Sequence, residues 1–185
     1  MPAMIDASDN LRRQIRDEVA AIAPHDDLEK SVISDTLAWI DAGAEIFRRE
    51  KPATPPKHLV SYFLLADGDY ILLVDHIKAE LWLPSGGHVE PNEHPRTTVE
   101  REIVEELGIK ANFAYPEPQF ITATTTVGKT AGHVDVSLWY LVLGDRFQEL
   151  EFDREEFSQV RWFHRSDVPF KRSDPELRRF LEKVS

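Results

Sequence analysis

Apolar residues recur along this chain with two different periods, and these periods predict helices at both ends and strands between them. Near the N-terminus the spacing is three to four residues, over residues 10–22 and again from residue 28 to residue 47. Pro24 ends the first predicted helix, and the second is expected to continue to about residues 48–51. A short final helix is expected to start at Asp174 or Pro175.

The middle of the chain is rich in β-branched and aromatic residues. Residues 58–67 (HLVSYFLLAD) and 70–77 (YILLVDHI) are nearly continuous apolar runs around Asp67-Gly68-Asp69, which predicts a β-hairpin covered on both faces. Further strands are expected in residues 80–84, 119–127, 133–143 and 159–163. The pattern therefore favours an α/β or α+β fold with a mixed sheet between layers of helices.

A proline-rich stretch separates the helical start from the β-rich part. KPATPPK, residues 51–57, contains three prolines and is expected to be a stiff, extended connector. It divides the chain into an N-terminal extension, residues 1–56, and a main domain, residues 57–185. The helical pair is too small to fold alone and is expected to pack on the main domain or on a second subunit. A dimerisation arm, a substrate lid and a structural cover all fit it, and a homodimer is therefore one expectation.

Composition excludes several classes of function. The chain has no cysteine, which excludes disulfides, thiolate metal sites and cysteine nucleophiles and agrees with a cytoplasmic location. No apolar run is long enough to span a membrane, and the N-terminus lacks the apolar core of a signal peptide. The net charge of −11 disfavours binding to a nucleic acid duplex. A polyanionic small substrate would need a cation or local basic groups.

The most unusual stretch of the sequence is an acidic helix within residues 87–109. Glu105 and Glu106 follow Glu102 by three and four residues, so the three carboxylates share one side of a helix and repel one another. A hard divalent cation would compensate that charge. Pro95 suits the first turn of this helix, and Gly108 suits its C-terminal end. An apolar stripe for core packing is formed by Val99, Ile103 and Leu107.

Two glycines precede this helix. Gly86 and Gly87 are expected to form a loop whose backbone carbonyls approach a ligand closely. Together with the carboxylates they make an all-oxygen site, which favours magnesium, manganese or calcium over zinc. The planar guanidinium of Arg101 can hold a carboxylate in place, and Glu93 is its expected partner.

These residues together resemble the signature of the Nudix hydrolase family, G-x5-E-x7-R-E-U-x-E-E-x-G-U, in which U is aliphatic. Every defined position matches, and the resemblance extends over roughly residues 57–185. It implies an α/β/α sandwich around a mixed sheet. It also implies magnesium- or manganese-dependent hydrolysis of a nucleoside diphosphate linked to another group. The matching residues are Gly87, Glu93, Arg101, Glu102, Ile103, Glu105, Glu106, Gly108 and Ile109.

The resemblance also implies individual roles. The metal ligands would be Glu102, Glu105 and Glu106 with the carbonyl of Gly86, and Arg101 with Glu93 would orient Glu102. Many members add a carboxylate from a later loop. Glu156 is the candidate here for both a metal ligand and the general base, with Glu155 as its alternative and Glu102 as a second candidate base.

Residues that could bind the substrate lie outside this signature, residues 87–109, which is called the Nudix box below. Trp82 could stack on a base or pack in the core, and His88 could reach phosphate or lie at the surface. Asp135 could line the pocket or face solvent on the polar side of its strand. Lys129 and Arg161 could contact phosphate or be ordinary surface charges.

The box identifies a chemistry and leaves the substrate open. Some subfamilies carry a proline or a tyrosine beyond the box, for ADP-ribose and dinucleoside polyphosphates respectively, and residues 121–127 contain neither. A nucleoside triphosphate or damaged-nucleotide pyrophosphohydrolase is therefore the expectation. The alternative is a non-catalytic Nudix-like nucleotide sensor, which the intact box disfavours. An isopentenyl diphosphate isomerase is excluded because that enzyme depends on a cysteine.

Overall fold

The computed structural model describes residues 7–126 and 132–185. None of the described helices is both long and apolar enough to cross a bilayer. The helices are α1 (Ala7–Ala21), α2 (Asp27–Asp41), α3 (Pro95–Leu107) and α4 (Leu177–Lys183). The strands are β1 (Lys57–Asp67), β2 (Tyr70–His76), β3 (Leu81–Leu83), β4 (Ser85–His88), β5 (Phe120–Thr125), β6 (Val134–Leu143) and β7 (Phe157–His164).

Strand β1 lies at the centre of a mixed seven-stranded sheet. One edge of β1 pairs in parallel with β6 along almost its whole length, and β5 continues the sheet antiparallel to β6. The other edge is shared, because β2 pairs with residues 66–67 and β4 pairs with residues 60–63. Strand β2 also pairs with β3 and β7. The expected hairpin and mixed sheet are confirmed.

Both faces of the sheet are covered, which explains the nearly continuous apolar runs in its strands. Alternate residues of β6 belong to two separate buried clusters, as strand geometry requires. Helices α1, α2 and α3 cover one face, on which Val136, Leu138, Tyr140 and Val142 are buried. Helix α4 covers the other face, on which Trp139 and Leu141 of β6 are buried. The α/β/α sandwich with an N-terminal helical pair is therefore confirmed.

The N-terminal helices form as expected, but their ends differ from the prediction. Asp26 caps α2 by accepting a hydrogen bond from the backbone N–H of Glu29 at 2.8 Å. Helix α2 ends at Asp41 and not at residues 48–51, because Gly43 adopts a left-handed backbone with φ of 77°. The apolar spacing nevertheless extends to Phe47, because this residue is buried although it lies in an irregular segment after the helix. Helix α1 begins at Ala7, earlier than expected.

Three other expectations of local structure were wrong. The proline-rich stretch is not extended, because Arg49 N–H donates to the carbonyl of Thr54 at 2.7 Å and closes a turn. The glycine pair lies in strand β4 and not in a loop, because its backbone pairs with β1. The final helix begins at Leu177, after a turn in which Leu177 N–H donates to the carbonyl of Asp174 at 3.1 Å.

The N-terminal helices are joined to the sheet by apolar packing and by a buried carboxylate. Ile15, Val19, Ile33 and Ile40 belong to the same buried cluster as residues of the sheet and of α3. Glu29 of α2 has no exposed surface.

The carboxylate of Glu29 is fully paired. It accepts hydrogen bonds from the backbone N–H of Ile121 at 3.2 Å, the backbone N–H of His25 at 2.6 Å and the Lys183 ammonium at 2.7 and 3.0 Å. This single residue therefore connects α2, the sheet and α4.

We expect Lys183→Met to lower the free energy of unfolding by about 3 kcal/mol, because it leaves the buried charge of Glu29 without its counter-ion. Lys30→Met on the exposed side of α2 is the matched control and should change stability by less than about 0.5 kcal/mol. Urea unfolding followed by circular dichroism measures both values. Equal effects in the two variants would show that the Glu29–Lys183 pair is not important for stability.

Candidate active site

Helix α3 begins and ends where its sequence requires. His94 caps its N-terminus by accepting from the backbone N–H of Arg96 at 3.1 Å, Pro95 occupies the first turn, and Gly108 takes a left-handed conformation with φ of 66°. The glycine and proline were predicted, whereas the histidine cap was not. Glu18 of α1 contacts the other ring nitrogen of His94 at 3.0 Å. Val99, Ile103 and Leu107 are completely buried, so one side of α3 is fixed against the sheet.

The three clustered glutamates of α3 differ in exposure. Glu106 is buried, with 5% of its surface exposed, and accepts a hydrogen bond from the Ser85 hydroxyl. Burial, and then the charges of Glu102 and Glu156, raise the pKa of Glu106 to about 9, although the bond from Ser85 lowers it. Glu102 is half-buried, and burial also raises its pKa. The side chain of Glu105 is 58% exposed.

Arg101 connects the upstream and downstream carboxylates of the box. Its Nε and Nη2 donate to the two oxygens of Glu93 at 3.0 and 3.1 Å, and its Nη1 donates to Glu102 at 2.6 Å. Nη2 also approaches the carbonyl of His88 at 3.3 Å. Burial raises the pKa of Glu93, but hydrogen bonds from Arg101, the backbone and Thr98 outweigh it and lower the pKa overall. The planar guanidinium therefore holds Glu102 in one orientation.

The two glycines of β4 are required by close approach. A Cβ atom on Gly87 would collide with the carboxylate of Glu102, and one on Gly86 would collide with the carbonyl of Ser61. Without these side chains, the β4 backbone lies directly against α3. The sequence analysis expected these glycines to let the backbone approach a ligand, and that expectation stays a prediction; the close approach seen here is to Glu102 and Ser61.

A cavity opens between α3, β4 and the edge of β2. Its volume is about 270 Å³, and it is open to solvent. Glu156 reaches this cavity from the segment before β7, with its carboxylate 3.4 Å from His76 Nε2. Glu155 is exposed and is not among the lining residues. The polar and charged lining residues are Arg48, Tyr62, His76, Ser85, Gly86, Gly87, His88, Glu90, Glu102, Glu106, Asp135 and Glu156.

Of the residues that the sequence predicted to contact the substrate, some line the cavity and others do not. His88 and Asp135 line the cavity. Burial, and then the positive charge of Arg48, lower the pKa of His88 to about 4. Trp82 is not brought to the cavity, because it is buried on the opposite face of the sheet, with its ring edge-on to Phe163 and its backbone paired with Ser173. Arg161 is exposed and lies over the same phenylalanine ring. Lys129 lies outside the described residues.

Sequence reasoning missed Arg48, which lines the cavity from the segment after α2. Within the described part of the chain its guanidinium forms no ion pair closer than 4 Å, and burial lowers its pKa. The charges of Glu90, Asp135 and Glu102 surround it at longer range. Its position could not be read from the sequence, because the apolar pattern had assigned residue 48 to the end of a helix.

The box residues fit a hard divalent cation. Carboxylate oxygens of Glu102, Glu106 and Glu156 face one cavity beside the β4 backbone, and oxygen donors are those that magnesium and manganese prefer. The mutual charge of these carboxylates, which raises the pKa of Glu106, is what such a cation would neutralise. Glu105 lies outside the lining and contacts Arg101 Nη1 at 3.5 Å.

Comparison with known proteins gives the family. A sequence model of the NUDIX domain matches residues 56–184. None of the curated proteins matches. A MutT NUDIX hydrolase from Burkholderia pseudomallei is 23% identical, with a TM-score of 0.55 over 69% of this chain and 97% of that one. The NUDIX domain of Shewanella oneidensis NrtR, complexed with ADP ribose, is 20% identical, with a TM-score of 0.54 over 68% and 84% of the two chains.

A NUDIX-family hydrolase from Clostridium perfringens has the same fold, at 23% identity and a TM-score of 0.52 over 63% of this chain and 88% of that one. The fold, the complete box and the family match define a class of protein. The chain belongs to the Nudix family, and it is an enzyme of the Nudix hydrolase class.

We expect Arg101→Lys to lower hydrolytic activity by about 10–100-fold with little loss of stability, because an ammonium group cannot bridge Glu93 and Glu102 as a planar fork does. Arg96→Lys is the matched control on the same helix, where Arg96 stacks on Phe113. Steady-state hydrolysis with a thermal melt separates activity from folding. Unchanged activity in the Arg101 variant would exclude an orienting role.

Proposed function

We propose that this protein hydrolyses a phosphoanhydride bond in a substrate that contains a nucleoside diphosphate, with magnesium or manganese as the cofactor. The observation that supports this proposal best is the convergence of Glu102, Glu106 and Glu156 on one cavity that also contains Arg48. A cluster of oxygen donors suits a hard cation, and an adjacent guanidinium suits the phosphates.

The cation would be held by carboxylates of Glu102, Glu105, Glu106 and Glu156 and by the carbonyl of Gly86. Glu105 is the exposed member of the set, so its contribution requires a change of side-chain rotamer toward the cavity. When bound, a divalent cation neutralises the diphosphate and makes a water molecule easier to deprotonate near neutral pH.

The residues of the chain supply orientation and a base. Arg101, itself held by Glu93, keeps the Glu102 carboxylate directed at the cavity, and Ser85 keeps Glu106 in place. Glu156 or Glu102 takes a proton from water as the water oxygen bonds to phosphorus. The bond from phosphorus to the bridging oxygen breaks, and the leaving phosphate departs with the bonding electrons. Arg48 would contact the phosphate oxygens of the substrate.

For the substrate, we propose a nucleoside triphosphate or a damaged nucleotide. Residues 121–127 lack the proline and the tyrosine that accompany preference for ADP-ribose or dinucleoside polyphosphates in some subfamilies. The NrtR domain with a similar fold is complexed with ADP ribose, so ADP-ribose belongs in any substrate panel. His88 and Asp135 line the same cavity, which supports a position close to the substrate for both. A nucleotide-type small molecule is thus the proposed partner.

A substrate panel tests this proposal. Nucleoside triphosphates, oxidised nucleotides, ADP-ribose and dinucleoside polyphosphates are incubated with magnesium or manganese, and released phosphate and pyrophosphate are measured. We expect turnover of at least one class, with loss of turnover in chelator. Silence across the whole panel, together with measurable nucleotide binding, would favour a non-catalytic sensor module.

We expect Glu106→Gln and Glu105→Gln each to lower kcat by at least about a hundredfold, because each change removes about 3 kcal/mol of interaction with the cation. Glu100→Gln, an exposed change on the same helix, is the control and should retain full activity. Circular dichroism verifies that the helix is intact. Wild-type turnover in both site variants would exclude the metal assignment.

The general base is tested separately. We expect Glu156→Gln to lower kcat and to remove the acidic limb of the pH–rate profile, because an amide cannot accept the proton from water. Glu155→Gln is the matched control from the adjacent, exposed residue. Full activity in the Glu156 variant would transfer the role to Glu102 or to Glu155.

A further inference from the structure

A second group of side chains that could bind a metal ion lies beside the box carboxylates, and no bond-making or proton-transfer step of the proposed hydrolysis uses it. His58 is the second residue of β1, and His88 is the last residue of β4. His133 directly precedes β6, and Asp135 is the second residue of that strand. The parallel register aligns His58 with Asp135, and the antiparallel register aligns His88 with Val60. The sheet therefore brings residues that are up to 77 positions apart to one point.

One carboxylate oxygen is the centre of this group. Asp135 Oδ1 lies 3.3 Å from His58 Nε2, 3.3 Å from His133 Nε2 and 4.0 Å from His88 Nε2. The four donor atoms all lie within 4.8 Å of one another. His58 is completely buried and His133 is 5% exposed, so the arrangement is held by packing and not by chance surface contacts.

The outer nitrogens of two rings are already occupied. His58 Nδ1 lies 2.8 Å from the carbonyl of Pro55, which can only accept, so this nitrogen donates. His133 Nδ1 lies 3.0 Å from the Thr126 hydroxyl. A hydrogen bond of this kind on the outer nitrogen is typical of metal-binding histidines.

The inner atoms, in contrast, lack hydrogen-bond partners among the described residues. His58 Nε2, His88 Nε2 and Asp135 Oδ1 are buried and unpaired. Unpaired buried polar atoms are rare, because leaving them without a partner is energetically costly. One cation bound between these side chains would satisfy all four donor atoms at once.

We propose that His58, His88, His133 and Asp135 bind a zinc ion through their Nε2 and Oδ1 atoms. In a tetrahedral site with ligand bonds of about 2.0–2.1 Å, donor atoms lie roughly 3.3 Å apart. Of the three separations from Asp135 Oδ1, two are 3.3 Å and one is 4.0 Å, and the separations between the histidine nitrogens are at most 4.8 Å. Three imidazoles and one carboxylate select zinc over magnesium.

This site is separate from the box in its donors and in its purpose. The box offers only oxygen atoms, whereas this group offers three nitrogens. With four protein ligands the zinc is structural, and it joins β1, β4 and β6 at the wall of the cavity. Its charge adds to that of Arg48, which lines the same cavity. The proposal does not depend on the proposed hydrolysis, because zinc binding is measured without substrate.

The test measures zinc binding to the full chain after removal of metals with a chelator. Zinc is titrated calorimetrically in excess magnesium, using a Glu102→Gln/Glu106→Gln background so that the box does not contribute. We expect saturation at one equivalent, a rise in Tm with zinc that magnesium does not produce, and cobalt(II) absorption characteristic of four-coordination.

Variants locate the site. His133→Asn, and Asp135→Asn, which preserves side-chain shape, should each weaken zinc affinity at least about a hundredfold, because each loses a direct ligand. His164→Asn is the matched control, since His164 ends β7 and contacts Ser166. Thermal melts without metal show that each variant folds, and Asp135→Asn keeps the test valid where a buried histidine change does not fold.

Two results would overturn the proposal. Absence of saturable zinc binding in the folded protein would show that the four side chains form only a hydrogen-bonded cluster. Binding that is unchanged in both His133→Asn and Asp135→Asn would place the zinc elsewhere. Failure of the hydrolase proposal gives a different result, namely a protein that binds zinc but does not hydrolyse any substrate in the panel.

Discussion

The apolar packing of α3 against the sheet is the interaction on which the site depends. Each like-charged pair at the spacing of Glu102, Glu105 and Glu106 costs about 0.2–0.5 kcal/mol in an isolated helix. Full burial of an aliphatic side chain contributes about 1.5–3 kcal/mol, and Val99, Ile103 and Leu107 are all completely buried. Burial therefore outweighs repulsion, and the carboxylates are held together although they repel. The Ser61 hydroxyl adds a 2.8 Å bond to the carbonyl of Pro95 at the start of this helix.

The cavity forms because one edge of β1 pairs with two different strands. Strand β2 pairs with residues 66–67 of β1, and β4 pairs with residues 60–63. The two partners diverge, and the space between them is lined by Val60 and Tyr62 of β1 and by Val74 and His76 of β2. A change of strand pairing thus creates a concave site without any long loop. The same arrangement brings the backbone of β4 against α3.

Features determined by local sequence were the ones that could be predicted. The ends of α3 depend on Pro95 and Gly108, and the alternation in β6 depends on residues within one strand. Arg48, His58 and His133 were not predicted, because an irregular segment brings Arg48 to the cavity and the register of distant strands brings His58 and His133 beside Asp135. Trp82 could stack on a base or pack in the core, and the core position, which the sequence favoured, is the one found. Its neighbours there, Phe163 and Ser173, are distant in sequence, so no local pattern reveals them.

Arg48 precedes the region that matches the family, which begins at residue 56. A residue of the N-terminal extension therefore lines the cavity of the Nudix domain, and Glu18 of the same extension contacts the histidine that caps α3. The extension forms part of the cavity wall as well as part of the core. Natural variation in these first residues would therefore change the cavity while α3 stays unchanged. Protein chimeras that exchange the extension between relatives would separate selectivity from chemistry.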